Sequence, residues 1–335
     1  MLASGTNCAH VFKTVLDQTL IFGGIVQLKS STLVLSSGVT ISGNVIIQGE
    51  GPGGTGVMFS GIAGRVSGGF VIQGNGVEFR DMYFEMGSGV MNGIVMAANQ
   101  GTMKVDNLSM VGTQNSGVRA IHMPAGFDSI IKNCEMDTFD EGIRLDNSID
   151  STNNIHITDM TFYTTNTSVM LDNVASNMVS NMNTNNNSSG GIIIQGSSSK
   201  RNQVNCISAS NSGMPVVVVQ TSGELNRITN IESRSSAGYP ILDLTSGCRN
   251  FFLPGHIDSN AVVISGASPF TYVNASGRQE MIYVGGGTVS QIDFIRRSNT
   301  VALSGLTAGT FILDGGDKLT VTYSAAPAIK VFPIG

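Results

Sequence analysis

At 335 residues the chain is long enough for one large domain or two modest ones. Only 12% of it is charged, against a usual share of about 25%, and a net charge of −5 excludes the basic footprint that nucleic-acid binding needs. No window approaches the roughly 18 uninterrupted apolar residues of a membrane-spanning helix, so membrane insertion is not expected.

The opening Met1-Leu2-Ala3-Ser4 has no basic region and no apolar run after it, so classical secretion is not expected. The four cysteines, Cys8, Cys134, Cys206 and Cys248, show no metal-binding spacing. Cys134 and Cys206 fall in one repeating column but three repeats apart, roughly 14 Å by the spacing of strands. That is beyond disulfide reach, and all four read as reduced.

Residues 7–20 carry apolar Val11, Val15 and Leu16, with Asn7 as a helix N-cap and Gly23-Gly24 as a stop. A helix over this segment would plug the open end of a stacked sheet. Strands begin at Gly24-Ile25-Val26-Gln27-Leu28. Gly49-Glu50-Gly51-Pro52-Gly53-Gly54 formally matches a dinucleotide fingerprint. That reading requires a helix to follow, and Gly56-Val57-Met58-Phe59 is strand-like, so the stretch reads as a tight corner.

From there the chain repeats itself. Asp81, Asn107, Asn133, Asp159, Asn181, Asn205 and Asn230 recur every 22 to 26 residues, each followed by an apolar residue. A second column runs Ile94, Ile121, Ile143, Val169, Ile192, Val216, Ile241. Two registered columns at this period indicate a solenoid, and short β-branched runs cut by Gly, Asn and Ser make it a β-solenoid. Asn and Asp suit its sharp corners because they tolerate the left-handed backbone and can bond up the stack. Insertions at 112–119 and 147–154 and an Asn-rich corner at 183–189 border one face, as loops do when a scaffold builds a groove.

An Asn ladder at one corner of a 22–26-residue coil resembles the right-handed parallel β-helix of pectate-lyase-like proteins, a group that includes polysaccharide lyases, glycoside hydrolases and phage tailspikes. The organisation expected is a 1–23 segment with its capping helix, a β-helix over 24–270 and a small C-terminal β-unit over 271–335. In that unit Met281–Val284, 310–313 and 318–323 alternate as antiparallel strands do, with Asp314-Gly315-Gly316-Asp317 as a hairpin linking the last two. The ending Gly316-Asp317-Lys318-Leu319-Thr320-Val321-Thr322-Tyr323-Ser324 resembles the closing segment of phage tail proteins.

Residues flanking the inward Ile column should face out. Among them Met170, Ile193, Val217 and Leu242 form an apolar stripe that reads as a subunit interface or as a floor under a folded-over loop. Because tailspikes of this fold are trimers, the resemblance implies a homotrimer with its axis near this stripe. Asp146 and Asp172 share an outward column on adjacent coils, the paired carboxylates that glycosidic cleavage uses. With Glu141 beside them they are the candidate catalytic set, one of the pair holding its proton through mutual repulsion. Arg144, His122 and Asp140 are the candidate substrate contacts. Solvated structural charges are the competing reading. No cofactor is expected, beyond room for a structural or substrate-bridging divalent cation.

The expected function is a virion adsorption protein that recognises host-surface polysaccharide, with or without depolymerase activity. Its partners would be the glycan, two further copies and other tail components, and it would be made in the host cytoplasm. A free lyase or hydrolase and a purely architectural solenoid are the alternatives.

Overall fold

The protein is described from a computed structural model covering residues 12–17, 23–29, 32–59, 68–87, 89–97, 101–185, 187–210, 215–220, 225–233, 241–243, 251–252, 262–264, 266–275, 279–296, 299–303 and 305–333. Most strands stack in parallel into two long sheets, one of thirteen strands and one of nine. The chain winds between them coil by coil, some coils giving two short strands to the larger sheet: an all-β parallel β-solenoid, as the repeat predicted.

The larger sheet bends at the corner column. In Val77–Met86, Val77 and Phe79 point in, and after Asp81 the alternation restarts with Met82, Phe84 and Met86 inward. Asp81 takes φ 59°, and Asn107, Asn133, Asp159, Asn181 and Asn230 take 54°, 54°, 55°, 50° and 53°. One left-handed residue turns the chain and resets which side chains face the core. In the coil Gln203–Ser210 that residue is Cys206, φ 52°, not Asn205. Asn205 lies in the ladder opposite Ser180 and Thr229, and Ile207 takes the inward place beside Met182. Cys206 is therefore exposed, whereas Cys134 is buried and its thiol is pushed up to about 12, mainly by that burial.

Side chains bridge the corners from coil to coil. Asn107 donates to Asp81 at 2.8 Å, Asn133 to Asp106 at 2.8 Å, and Asn181 to Asp159. A second ladder lies inside the coil: Asn177, Asn202 and Asn226 are buried, each Oδ1 accepting the main-chain N–H one coil before it. Close approach decides one glycine. A Cβ on Gly49 would sit 2.1 Å from the Asp81 carbonyl oxygen, so the Gly-rich stretch is a coil corner pressed onto its neighbour.

Inside, like residues stack: Ile47, Phe79, Val105, Ile131, Ile157, Val179 and Val204 make one column. The first coils are aromatic, with Phe59, Phe79 and Phe84 packed around Phe70 at centroid distances of 5.2–5.6 Å. The described helix, 12–17, buries Phe12 and Leu16 on this cluster, and Phe12 meets Phe70 edge-on at 6.1 Å. Val15, expected to face the core, is 41% exposed. Asn7, Val11, Cys8 and Cys248 lie outside the described residues.

The C-terminal unit is two four-stranded antiparallel sheets over a separate core that includes Ile282, Val284, Ile292, Leu313, Leu319, Val321 and Val331. Its pairing reaches back to Val262–Ile264, which lies against Ala328–Pro333. The 314–317 turn is not a β-hairpin: Gly309–Leu313 pairs with Glu280–Gly285, and Lys318–Ala325 with Thr288–Arg296. It carries the chain from one sheet to the other, and Arg296 clamps it through Asp314 and Asp317.

Candidate functional site

The site rests on the outer face of the nine-stranded sheet, where Arg119–Met123, Glu141–Leu145, Thr167–Asp172 and Gly190–Gln195 lie side by side. One outward row there runs Val95, His122, Arg144, Met170, Ile193. It continues through Val218, paired with Ile193 and Leu242, and not through Val217. Val217 pairs with Ile192 and Ile241 and is fully buried. Four successive valines, Val216 to Val219, carry no polar alternation that could have fixed the phase. Met170, Ile193 and Val218 form a small cluster already buried within the single chain. The Leu242 side chain lies outside the described residues.

Between Val95 and this cluster lies a dense ionic group. Arg144 is its centre, with Nη1 on Glu141 at 2.9 Å, Nε on Asp146 at 2.8 Å and Nη2 on Asp172 at 2.6 Å. His122 Nε2 is 2.9 Å from Asp146 Oδ2, and the Ser148 N–H and hydroxyl donate to Asp146 Oδ1. Gln195 and Asn173 donate to Asp172. Arg119, one strand before, donates through Nε to the other oxygen of Glu141. These side chains are mostly withdrawn from solvent, each between 11% and 19% exposed for the charged members.

The electrostatics follow from this packing. Burial alone would raise the Asp146 carboxyl, but hydrogen bonds from His122, Ser148 and Arg144 outweigh it and hold the group well below the usual carboxylate range. Burial would likewise lower the Arg144 guanidinium, and its three acids raise it instead. The proton expected from repulsion between Asp146 and Asp172 is thus not held by Asp146, because a guanidinium stands between the two carboxylates. Among the described residues no three His, Cys, Asp or Glu are grouped to hold a metal ion. Arg144 fills the position among the acids that a cation would otherwise take.

Asp140 stands apart from the group. Its carboxylate accepts from the Gly117 N–H at 2.6 Å and from Asn166 at 2.8 Å, so it stitches neighbouring loops together. Those loops border the face. Gln114 reaches the Thr164 carbonyl and Ser188 reaches Asn166 on one side. On the other, 147–150 bends over Pro124, leaving Ile149 51% exposed. The insertions at 112–119 and 147–154 therefore flank opposite ends of the charged strands. Arg119, Ser148, Asn173 and Gln195 were not singled out from sequence. For Arg119 the signal was there: it precedes Ile121 as Glu141 precedes Ile143, which puts it in the same row.

No family model matches the chain, and no curated protein matches it in sequence. Solved structures do. The ORF18 protein of Geobacillus virus E2 aligns over 99% of this chain and 74% of its own, with a TM-score of 0.59 and 14% identity. The enzymatically active domain of tailspike protein 2 of bacteriophage CBA120 aligns over 100% and 69%, at 0.56 and 10%. The A-module of the Azotobacter vinelandii mannuronan C-5 epimerase AlgE6 aligns over 72% and 77%, at 0.51 and 14%. At such identities the likeness is one of fold: the chain is a parallel β-helix, an architecture it shares with a phage tailspike domain and with a mannuronan epimerase module.

Proposed function

We propose that this chain is a receptor-binding protein of a phage tail that holds host-surface polysaccharide along the loop-bordered face of the nine-stranded sheet. The observation that carries the reading is the extent of the likeness. The two viral structures match 99% and 100% of the chain, C-terminal sandwich included, whereas the epimerase matches 72%. The shape of the face agrees, since an elongated floor between loops of unequal length fits a long ligand. On this reading the protein acts as a homotrimer, together with other tail components, and the exposed Tyr283 and Ile312 of the C-terminal unit are offered to neighbouring copies.

Asp146 does not suit the acid role in glycosidic cleavage. A glycosidic acid must present a proton to the leaving oxygen, and Asp146 is held ionised. The test is retention of the purified chain on a panel of bacterial capsules and lipopolysaccharides, with release of reducing ends followed in parallel. Retention on at least one glycan is expected, and Glu78→Gln on the other sheet should leave it unchanged. A folded chain retained by no glycan would end the proposal. Release that disappears in Asp146→Asn or Asp172→Asn would replace binding with catalysis by that pair.

A further inference from the structure

The hydrogen bonds of the ionic group are nearly all spent. Glu141 gives one oxygen to Arg119 and one to Arg144. Asp146 gives one to His122 and Arg144 and the other to Ser148. Asp172 gives one to Arg144 and Gln195 and the other to Asn173. All three nitrogens of Arg144 are taken by these acids. Arg119 is different. Glu141 fixes its Nε, and among the described residues its two terminal nitrogens donate to nothing, though the side chain is 19% exposed, the same as Arg144. It stands where the 112–118 loop enters the sheet, its own N–H held by the Met91 carbonyl.

We infer that Arg119, not Arg144, is the specificity-determining residue of this face, and that it selects a glycan bearing an anionic group, a carboxylate or an acidic ester. The inference rests on the glycan-binding reading above. A planar guanidinium whose Nε is already oriented presents its terminal N–H groups in the fork that matches a carboxylate or ester oxygen pair. The group as a whole holds three acids to two guanidiniums, but the surplus lies around Arg144. Asp146 and Asp172 close the far end of their strands, about 15 Å along the chain from the Arg119 end. At the Arg119 end, Glu141 is shared between both arginines, and Asp140 gives one oxygen to the Gly117 N–H and the other to Asn166. The charged hydrogen-bonding capacity left for a ligand is therefore cationic, and it is at Arg119.

The experiment uses the intact chain and four labelled polymers at low salt: a polyuronate, its carboxyl-reduced derivative, a sulfated dextran and plain dextran. The polyuronate should be retained, and carboxyl reduction should weaken retention about tenfold or more, as loss of a charge-assisted contact does. Arg119→Gln should cause a similar loss, and Arg119→Lys a smaller one. Circular dichroism and the melting temperature show whether each variant keeps the fold. Retention of sulfated dextran in place of the polyuronate, again lost in Arg119→Gln, would support the anion subsite and assign the ester. Polymers retained equally by wild type and a folded Arg119→Gln would overturn the inference and leave glycan recognition standing. Retention of none of the four by folded wild type would overturn this inference, whereas retention on no bacterial glycan would overturn the reading beneath it.

Discussion

A left-handed backbone costs an ordinary L-residue about 1–2 kcal/mol, and asparagine and aspartate less. Replacing Asn181, φ 50°, by valine should therefore lower stability by about 1–3 kcal/mol. The same change at Asn205 should cost under about 1 kcal/mol, because that position is ordinary strand and valine suits it. Urea midpoints of the two variants check this, and equal losses would contradict the assignment of Cys206 to the corner. The shift by one residue has a plain origin. In Asn205-Cys206 the residue that usually takes such a corner is present but one place early, and preference pointed to it; the backbone angle of Cys206 and the pairing of Asn205 with Ser180 and Thr229 show otherwise. Asp146 allows a pH prediction. Its carboxyl lies below the ordinary range in the folded chain, so its contribution is complete above about pH 4 and is lost as pH falls further. Wild type should lose more stability between pH 5 and pH 3 than Asp146→Asn does, read as the difference in urea midpoints.

Among whole elements, the ladders divide into what the sequence made legible and what it hid. The exposed corner row was legible because Asp and Asn recur with an apolar residue after each. The buried row of Asn177, Asn202 and Asn226 was not, since asparagine is common in this chain and nothing in the sequence separates an inward amide from a solvated one. Burial makes that row the more sensitive of the two. Asn202→Leu keeps the branched shape but orphans the Asn177 N–H, while the Val174 carbonyl keeps the Lys200 N–H, at a cost of about 1–3 kcal/mol. Amide exchange should show the Asn177 N–H losing protection in that variant, and unchanged protection would contradict the assigned bond. The candidate site follows the same division. Asp146, Asp172, Glu141 and Arg144 were readable as neighbours because the period placed them on adjacent coils. That the arginine lies between the acids and keeps Asp146 ionised depends on side-chain direction, which a one-dimensional pattern does not carry.

At the scale of the whole molecule, the described residues form one large core along the solenoid and a separate one inside the C-terminal sandwich. Because Val262–Ile264 pairs with Ala328–Pro333, a cut before residue 262 removes the sandwich cleanly. A cut at 275 leaves 262–264 and 270–273 without their partners. The chain ending at 261 should be the more soluble of the two, and light scattering of both at matched concentration decides it; the reverse order would show that the sandwich begins elsewhere. Stacking has one more consequence, a mechanical one. The covalent chain runs around the axis and passes to the next coil once per turn, so an axial load falls on the hydrogen bonds and side-chain contacts between coils. Tension applied along that axis should peel coils singly, each coil between Asp81 and Asn230 releasing 22 to 26 residues, or about 70–90 Å of contour. Force spectroscopy should then give a staircase of nearly equal steps over the solenoid and one larger step for the sandwich. The molecule would behave as a stack of breakable links, stiff under side load and yielding one turn at a time under axial pull.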